Sequence, residues 1–274
     1  MPRFLMGLVA RFPLAILHAL GALLGWAMYG LSPTYRGHLR ANLEAAGYRD
    51  AATRRAAIAG AGRLLAELPA VWLRPAAEVT ALVRRVDGRE HVDAARAAGK
   101  GIVFLTPHLG CFEISAWYGA QRLPLTVLYR PPKRAGLEPI MRAGRARGQA
   151  RLAPATLAGV RQLYKALRRG EAIGVLPDQA PGVGEGVWTD FFGQPAYTMT
   201  LVSRLQETTG AAVVMAFAER LPQGRGYVLH LSPVADHPLD PAALNRAVER
   251  VVRTCPGQYL WGYNRYKKPA RSAE

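Results

Sequence analysis

The stretch GIVFLTPHLGCFE, residues 101–113, is the part of the sequence that most directly indicates the fold. Its first six residues form a short, continuous apolar run, which is typical of a strand buried on both faces. Pro107 and His108 follow, and a helical pattern begins at Glu113. A buried strand that leads directly into a helix is the repeating unit of an α/β protein. The stretch therefore predicts a strand with a histidine at its carboxyl end.

Similar apolar runs and helical patterns alternate along the rest of the chain. The predicted strands are 101–106, 123–129, 172–177, 211–218 and 227–232. The predicted helices are 34–46, 53–69, 89–98, 113–121, 137–147, 156–169, 198–209 and 240–254. This alternation predicts a layered α/β domain whose central sheet is mixed, largely parallel and flanked by helices. Residues 178–197 lack periodicity and are rich in glycine and proline, so we expect a long irregular loop with a functional role.

The composition excludes several classes of protein. Half of the 274 residues are hydrophobic and the mean hydropathy is +0.01, which is inconsistent with a disordered chain or a polytopic membrane protein. The formal net charge of +17 makes nucleic acid, anionic lipids and acidic carrier proteins the expected classes of partner. The two cysteines, Cys111 and Cys255, have no metal-ligand spacing. We therefore expect no metal site, no disulfide framework and a reducing compartment.

The segment PLAILHALGALLGWAMYGL, residues 13–31, contains no acidic residue, lysine or arginine. About 20 apolar residues are needed to span a bilayer. A cleaved signal peptide and a buried core helix are alternatives, but we expect an anchor that spans the membrane or embeds deeply in it. Five arginines follow between residues 36 and 55, against Arg3 and Arg11 before the segment. The positive-inside rule then predicts an anchor over 1–31 and a cytoplasmic domain over 32–274.

His108 and Glu113 are candidates for a catalytic pair. Residues five apart on one helix point in different directions, so the side chains meet only if His108 lies on the turn before the helix. A carboxylate beside an imidazole fixes its tautomer and stabilises the imidazolium, which makes the histidine a general base for a hydroxyl. The alternative is a buried histidine bonded to backbone, with Glu113 capping the helix. The spacing alone does not decide between the two interpretations.

Residues 130–151 form a basic stretch in which one acid, Glu138, opposes seven cationic residues. The cations are Arg130, Lys133, Arg134, Arg142, Arg145, Arg147 and Arg151. A guanidinium group binds phosphate in bidentate geometry, so a sugar phosphate or a phosphopantetheine group is a suitable ligand. The alternative is a solvated basic helix face, which we prefer for Arg134 and Arg151.

Four other residues have two interpretations each. Asp178 follows a predicted strand, and it either binds an acceptor or, as we prefer, holds the following loop through backbone hydrogen bonds. Phe191 and Phe192 either line an acyl channel or pack in the core. Cys111 is a conceivable nucleophile beside His108, but a small buried thiol explains it equally well.

These features together resemble the bacterial lipid A biosynthesis acyltransferases (lauroyl/myristoyl transferases), within the H-x4-D/E glycerolipid acyltransferase superfamily. The resemblance covers nearly the whole chain and includes the order and spacing of the motifs. The motifs are HLGxxE (108–113), YRPPK (129–133), GRAR (144–147), LPDQAPG (176–182), FFGQPAYT (191–198) and WGYNRYK (261–267). The last motif departs from relatives that often have a histidine there, since Tyr263 and Asn264 occupy the stretch. This departure leaves the catalytic pair untouched but weakens the case for any role of the tail.

The resemblance implies an acyltransferase in which His108 is the base and Glu113 its orienting partner. The residues expected to bind substrate are Arg130, Arg145, Arg147, Asp178, Phe191 and Phe192. The implied donor is an acyl carrier protein thioester, and the implied acceptor is a hydroxyl of an anionic lipid A precursor. The implied reaction uses no metal and no cofactor. The implied location is the bacterial inner membrane, with the catalytic domain on its cytoplasmic face.

Two alternatives to this function stay open. Related enzymes acylate other lipids, so a lysophospholipid, an aminoacyl lipid or a glycolipid is an alternative acceptor. A basic, membrane-tethered nucleic-acid-binding protein is the non-enzyme alternative, and the net charge alone supports it. The sequence has no helix-turn-helix, RRM or OB-fold signature, and its aromatic residues do not alternate with basic ones. We therefore expect no nucleic-acid partner.

Overall fold

A computed structural model describes residues 2–132, 135–236 and 238–269, which form eleven α-helices and nine β-strands. The helices are α1 (Pro2–Ala10), α2 (Leu14–Leu31), α3 (Pro33–Ala45), α4 (Ala51–Leu73), α5 (Ala76–Leu82), α6 (Arg89–Ala97), α7 (Phe112–Ala120), α8 (Glu138–Arg145), α9 (Leu157–Arg168), α10 (Leu201–Thr209) and α11 (Pro241–Thr254). The strands are β1 (Val83–Asp87), β2 (Ile102–Leu105), β3 (Leu125–Tyr129), β4 (Ala150–Pro154), β5 (Ala172–Val175), β6 (Gly186–Phe191), β7 (Gln194–Met199), β8 (Ala212–Arg220) and β9 (Tyr227–Pro233). Lys133 and Arg134 lie outside the described residues.

Seven strands form the central sheet, in the order β1-β9-β8-β2-β5-β3-β4. The five strands from β8 to β4 in that order are parallel to one another. Strand β9 is antiparallel to β8, and β1 is parallel to β9, so these two run in the opposite direction. The predicted fold class, a mixed and largely parallel sheet flanked by helices, is confirmed.

The five predicted strands and eight predicted helices of the domain are present, but the sequence pattern missed four strands. Strands β1 and β4 lie at the two edges of the central sheet. Their sequences, VRRVD and ARLAP, contain charged residues and are only partly buried. An edge strand pairs with a neighbour on one side only and is more exposed to solvent, so it does not need a continuous apolar run. Its hydrophobic pattern in the sequence is therefore weak.

The segment 178–197 was expected to be an irregular loop, and this expectation is wrong for its second half. Strands β6 and β7 pair antiparallel there as a separate two-stranded sheet. Phe192 and Gly193 connect them with φ angles of 50° and 71°. Two central residues with positive φ form the tight turn that suits the twist of a hairpin. The dipeptide Phe-Gly is an uncommon form of this turn, which explains why the pattern was missed.

Helices cover both faces of the central sheet. Along β2, Val103 and Leu105 pack in a core cluster with residues of α9, α10 and α11. Ile102 and Phe104 alternate with them and pack in a second cluster with residues of α6 and α7. Successive side chains of a strand point to opposite faces, so a continuous apolar run is what this burial on both faces requires.

Helix α2, which corresponds to the predicted anchor, packs closely against α4. A methyl group added at Gly25 would lie 2.1 Å from the Ile58 carbonyl oxygen, and one at Gly62 would lie 1.9 Å from the Gly21 carbonyl oxygen. Glycines at these positions therefore allow the two helix backbones to touch. Among the described residues, α2 and α4 are the two helices long and apolar enough to cross a bilayer, and most of the apolar window of α4 is buried.

Candidate active site

The carboxyl ends of three neighbouring parallel strands form the candidate site. Strand β2 lies next to β5, and β5 lies next to β3. His108 follows β2, Asp178 follows β5, and Tyr129 is the last residue of β3. In α/β sheets, ligands bind beyond the carboxyl ends of the strands. The topology therefore brings together residues that are far apart in sequence at the edge where a substrate is expected.

His108 is held by the carboxylate of Asp178 through two hydrogen bonds. Its backbone N–H donates to Asp178 Oδ2 at 2.8 Å, and its Nδ1 is 2.9 Å from Oδ1. An ionised carboxylate only accepts hydrogen bonds, so Nδ1 carries the proton of the neutral imidazole. The other nitrogen, Nε2, is then unprotonated and able to accept a proton. It lies 3.3 Å from the side-chain amide nitrogen of Gln179, an exposed residue.

Asp178 is ionised in this arrangement. Burial raises the pKa of its carboxyl group, but the His108 imidazole and the hydrogen bonds outweigh this effect and lower the pKa below its usual value. Its side chain is 2% exposed, whereas that of His108 is 14% exposed. In the described part of the chain, no lysine or arginine forms an ion pair with Asp178. The negative charge therefore acts on the imidazole.

The turn after His108 is tightly fixed by distant parts of the chain. Gly110 has a φ of 59°, and a methyl group there would lie 1.9 Å from the Ala218 carbonyl oxygen. Its N–H donates to the Gln258 carbonyl, and the next N–H, that of Cys111, donates to the Ala218 carbonyl. Only glycine combines this backbone conformation with so close an approach. The position of the imidazole thus depends on β8 and on the segment near residue 258.

Glu113 does not occupy the place that the sequence predicted for it. Its carboxylate accepts hydrogen bonds from Arg145 Nε, at 2.9 Å to Oε1, and from Arg145 Nη2, and Trp72 Nε1 donates to Oε2 at 3.1 Å. The contact with the imidazole that was expected from Glu113 is made by Asp178. Glu113 is in the first turn of α7, and its side chain is directed to the C-terminal end of α4 and to α8 by these two donors.

The three arginines predicted to bind substrate differ in how they are engaged. Arg130 is exposed just after β3 and makes no side-chain hydrogen bond to any residue that the structure describes. Arg145 is a quarter exposed, and its guanidinium lies 5.9 Å from the ring centroids of both Trp72 and Tyr129. Arg147 donates three hydrogen bonds to backbone carbonyls of residues 71, 72 and 74.

Arg147 therefore stabilises the end of α4. The last carbonyls of a helix have no partner within the helix, and a cation there also interacts favourably with the helix dipole. Burial lowers the pKa of Arg147. Arg130 and Arg145 remain the two predicted cations that face solvent near the carboxyl edge of the sheet.

Phe191 and Phe192 pack in the core of the domain. Their ring centroids are 4.8 Å apart, and the Phe192 ring lies 5.5 Å from that of Trp261. The cavity beside Phe191 has a volume of about 10 Å³, which is close to the minimum that holds one water molecule. It is too small for an acyl chain, so these contacts support the packing interpretation and not the channel.

The C-terminal motif WGYNRYK has a structural role. Arg265 is buried and donates to the Tyr197 carbonyl and to Thr198 Oγ1, both at 2.7 Å, and so ties the motif to β7. The Tyr263 hydroxyl accepts a hydrogen bond from the Ala180 N–H, two residues after Asp178. The motif thus supports the loop that carries Asp178 and does not need the missing histidine for this purpose.

Cys111 is fully buried next to the histidine turn. Burial, with a contribution from the Glu67 carboxylate, raises its pKa well above the usual value. A thiol must ionise to be a good nucleophile, so this environment is unfavourable for covalent catalysis. Among the described residues, no group of three or more histidine, cysteine, aspartate or glutamate side chains is placed to hold a metal ion.

Behind the turn lies a second, fully buried ionic cluster that the sequence interpretation missed. Arg220 of β8 donates to both oxygens of Glu67 on α4 and to the Gly110 carbonyl. Glu67 also accepts hydrogen bonds from His18 of α2, at 3.0 Å, and from the Tyr227 hydroxyl, at 2.9 Å. The cluster therefore connects the N-terminal helix to the turn that carries His108.

The sequence contained a signal for Asp178 but none for this cluster. Asp178 and His108 both follow predicted buried strands, and adjacent parallel strands place such residues side by side. The strand order was needed to recognise the pair. Glu67 and Arg220 lie 153 positions apart, within an apolar helix and at the end of an apolar strand, and only the tertiary structure joins them.

The fold and the site define an α/β protein with a histidine held by a buried carboxylate at the carboxyl edge of its sheet. Residues 3–268 match the family model described as bacterial lipid A biosynthesis acyltransferase. The match covers nearly the whole chain. The chain belongs to the bacterial lipid A biosynthesis acyltransferase family, as the resemblance of its motifs predicted, and is thereby placed among acyltransferases.

Individual relatives agree with this assignment. The chain is 28% identical to the lipid A biosynthesis lauroyltransferase of Escherichia coli, over 75% of this chain and 69% of the relative. It is 26% identical to the lipid A biosynthesis palmitoleoyltransferase of the same organism, over 75% of this chain and 68% of the relative. It is 27% identical to a lipid A biosynthesis acyltransferase of Haemophilus influenzae, over 64% of this chain and only 56% of the relative.

Proposed function

We propose that the protein transfers a fatty acyl group from an acyl carrier protein thioester to a hydroxyl of a lipid A precursor. The family assignment supports acyl transfer in lipid A biosynthesis. The observation that carries the chemistry is the bond between His108 Nδ1 and Asp178, which leaves Nε2 free to accept a proton at the carboxyl edge of the sheet. A hydroxyl is a poor nucleophile at neutral pH and needs such a base at the moment of attack.

The proposed reaction has two steps. The acceptor hydroxyl attacks the thioester carbonyl carbon while its proton moves to His108 Nε2, and a tetrahedral oxyanion forms. The oxyanion then collapses, the carbon–sulfur bond breaks, and the proton passes from the imidazolium to the departing thiolate. Asp178 stabilises the imidazolium between the two steps, because its low pKa keeps it charged. Atoms and charges balance without a metal or a redox cofactor.

Arg145 and Arg130 are proposed to bind the phosphate groups of the two substrates. Arg145 is held by Glu113 through a bidentate ion pair, so its orientation is fixed before substrate arrives. Glu113, whose expected role was to orient His108, is therefore proposed to position Arg145. Arg130 is exposed beside it after β3 and provides a second positive charge. Both arginines suit phosphopantetheine and phosphorylated sugars, which are anionic.

The proposed location is the cytoplasmic face of the inner membrane, where both an acyl carrier protein and a lipid precursor are accessible. The exposed apolar residues of the N-terminal helices support membrane association. The arginines after α2 support the cytoplasmic orientation. The names of the relatives specify different acyl groups, lauroyl and palmitoleoyl, so we assign no chain length.

The proposal is tested with purified protein, acyl carrier thioesters and a panel of lipid acceptors. We expect a mass increase of one acyl group on the lipid A precursor, with release of free carrier thiol in equal amount. Acceptors for comparison are a lysophospholipid, an aminoacyl lipid and a glycolipid. If any of these lipids is acylated faster than the lipid A precursor, that lipid becomes the acceptor and the proposed acceptor is wrong. Thioester loss without an acylated lipid would show a hydrolase and contradict acyl transfer.

A further inference from the structure

Helix α2 has two different apolar faces. One face is buried in the protein and consists of two leucines, a histidine and two glycines. Its members are Leu14, Leu17, His18, Gly21 and Gly25. The opposite face is exposed and recurs at steps of three and four residues. Its members are Ile16, Leu20, Leu23, Leu24 and Leu31. A helix that is apolar all round does not stay in water, so the exposed face requires an apolar partner.

The buried face fixes α2 to the catalytic domain along most of its length. Gly21 and Gly25 touch the backbone of α4. His18 reaches into the ionic cluster and bonds Glu67. At the other end of this face, the turn between β8 and β9 packs on α2, since a methyl group at Gly224 would lie 2.3 Å from the Ala15 nitrogen. α2 is therefore a layer of the domain and not a separate tether.

The far side of α4 is packed on the rest of the domain. A methyl group at Gly257 would lie 2.6 Å from the Ala56 Cβ, and one at Gly144, on α8, would lie 2.5 Å from the Trp72 Cβ. α4 thus lies between α2 and the catalytic domain. If α2 crossed a bilayer, α4 and the sheet behind it would have to lie at the same depth, in hydrocarbon. The exposed arginines of the domain make that arrangement very unfavourable.

Arginines are present at both ends of the α2 outer face. Arg11 is exposed before the N-terminal end, and Arg225 is exposed beside Gly224 near the same end. At the C-terminal end, Arg36 donates hydrogen bonds to the Tyr29 and Gly30 carbonyls. A helix of 18 residues is about 27 Å long. Both ends reach anionic headgroups of one leaflet if the helix lies parallel to the membrane plane.

We propose that the outer face of α2, extended by exposed residues of α1, is a lipid-binding surface that lies in the plane of one anionic leaflet. Phe4, Leu5 and Leu8 are the exposed residues of α1. Such helices bury their apolar face about 5–10 Å into the boundary between headgroups and acyl chains. This keeps the predicted anchor over 1–31 and proposes that it lies in the membrane interface rather than spanning the bilayer or embedding deeply in it. The inference deepens the proposed membrane association and does not depend on the proposed reaction.

The depth of α2 is measured with fluorescent labels at three positions on its outer face. Ile16→Cys, Leu23→Cys and Leu31→Cys are made one at a time in a Cys255→Ser background, in which Cys111 is buried and unreactive. The protein is bound to vesicles of phosphatidylethanolamine and phosphatidylglycerol, and lipids brominated at different depths quench the labels. We expect the same shallow depth at all three positions. A maximum of depth at Leu23, with Ile16 and Leu31 near opposite surfaces, would show a spanning helix and overturn the proposal.

A matched pair of substitutions tests whether the outer face is the part that binds lipid. Leu23 and Leu157 are leucines of equal exposure, at 68% and 67%, but Leu157 begins α9, away from α2. Each leucine contributes through the apolar area it buries in the membrane. We expect Leu23→Gln to bind the same vesicles more weakly in flotation, and Leu157→Gln to bind like the wild type; Leu20→Gln/Leu23→Gln should weaken binding further, by about tenfold. Equal binding of both variants would overturn the proposal.

The variant His108→Ala distinguishes the proposed lipid-binding surface from the proposed reaction. This variant lacks the proposed base but keeps α2 intact, so we expect it to bind vesicles like the wild type. We expect Leu20→Gln/Leu23→Gln to lose transfer activity when the acceptor is in a vesicle but not when it is in detergent. This result would support the lipid-binding surface independently of the vesicle-binding measurement. Each variant should keep the helix content of the wild type by circular dichroism and its Tm, so that weak binding cannot be attributed to unfolding.

Discussion

Two histidine–carboxylate pairs in this protein differ in which imidazole nitrogen the carboxylate bonds and in what else the carboxylate contacts. His108 bonds Asp178 at the edge of the sheet, and His18 bonds Glu67 behind it. In the first pair the carboxylate bonds Nδ1, and Nε2 carries no proton and faces the exposed amide of Gln179. In the second pair the carboxylate bonds Nε2, and Arg220 and the Tyr227 hydroxyl take up the remaining acceptor sites of Glu67.

The difference lies in where the negative charge is balanced. Burial raises the pKa of Glu67, but Arg220 and His18 outweigh it and lower the pKa to about 2. The charge of Glu67 is neutralised by Arg220, which is permanently cationic, so this carboxylate mainly stabilises the fold. Asp178 forms no ion pair with an arginine or lysine among the described residues, although the charge of buried Arg265 acts on it from a greater distance. Its charge therefore stabilises an imidazolium when one forms. A histidine beside a carboxylate indicates a base more strongly when no cation forms an ion pair with that carboxylate.

The largest expected difference between the two pairs is in the rate. We expect His108→Ala to lower kcat by a factor on the order of 10²–10⁴, because the hydroxyl loses its base. His18→Ala should leave kcat near the wild-type value, since His18 touches no substrate. Initial rates of transfer from an acyl carrier thioester measure both. Comparable losses of kcat in the two variants of equally folded protein would contradict the distinction.

Substitutions of the two carboxylates should affect different quantities: the rate for Asp178 and the stability for Glu67. We expect Asp178→Asn to lower kcat by a factor on the order of 10²–10⁴, because an amide no longer selects the reactive tautomer. Glu67→Gln leaves Arg220 buried without its counter-ion and should reduce the free energy of unfolding by roughly 3–5 kcal/mol. Denaturant unfolding in detergent measures the second effect.

The control for this pair is the pH profile of the surviving activity. Asp178→Asn should change the profile of kcat, because the imidazolium is no longer stabilised, and Asp178→Glu should recover part of the rate. A purely structural role of Asp178 would instead show as a lower unfolding free energy with an unchanged profile. Glu67→Gln protein that is folded at low temperature should keep the wild-type profile.

A smaller contrast of the same kind is expected for Arg145 and Arg147. Arg145 is partly exposed beside the site, whereas the donors of Arg147 bond the end of α4. We expect Arg145→Ala to reduce kcat/KM by about tenfold, the value of one charge-assisted hydrogen bond. Arg147→Ala should mainly lower Tm. Arg151→Ala, which breaks an exposed ion pair with Glu171, is the control and should change neither quantity.

The smallest effect is the response of stability to acid. The pKa of Glu67 is lowered to about 2 in the folded protein, against about 4.3 for an unfolded chain. Its stabilising contribution is therefore complete above pH 4.3 and is lost as the pH falls toward 2. Unfolding free energies measured from pH 6 to 3 should decline less steeply in Glu67→Gln than in the wild type. Parallel curves would show that another group is responsible.

The sequence predicted the fold much better than it predicted the partners within the site. Apolar runs such as 101–106 and 172–177 identify buried strands because burial on both faces demands them. His108 was identified from its position after such a run. Its partner was not, because Glu113 is close in sequence and Asp178 is close only once β2 and β5 are known to be neighbours. The bonds of Arg147 to the end of α4 were also not predicted, since a cation at a helix C-terminus has the same sequence signature as one that binds phosphate.

The N-terminal segment shows the same limit. Its length and apolar character predict contact with a membrane, but they do not distinguish a helix that crosses the bilayer from one that lies on it. The residues on which our proposal of an interfacial helix rests are glycines and one histidine, and their significance depends on their contacts with α4. The sequence pattern shows that the helix is apolar. Only its packing in the folded protein shows which of its faces is buried against other helices.

The bonds that hold the histidine turn determine when the site can assemble during synthesis. His108 and Gly110 leave the ribosome early, but the carbonyls of Ala218 and Gln258 that accept hydrogen bonds from the turn are made more than a hundred residues later. Contacts between such distant parts of a chain form late in folding. We therefore expect a nascent or truncated chain that already carries α2 and the histidine to lack acyl transfer activity. Activity should begin only when the C-terminal segment has been added.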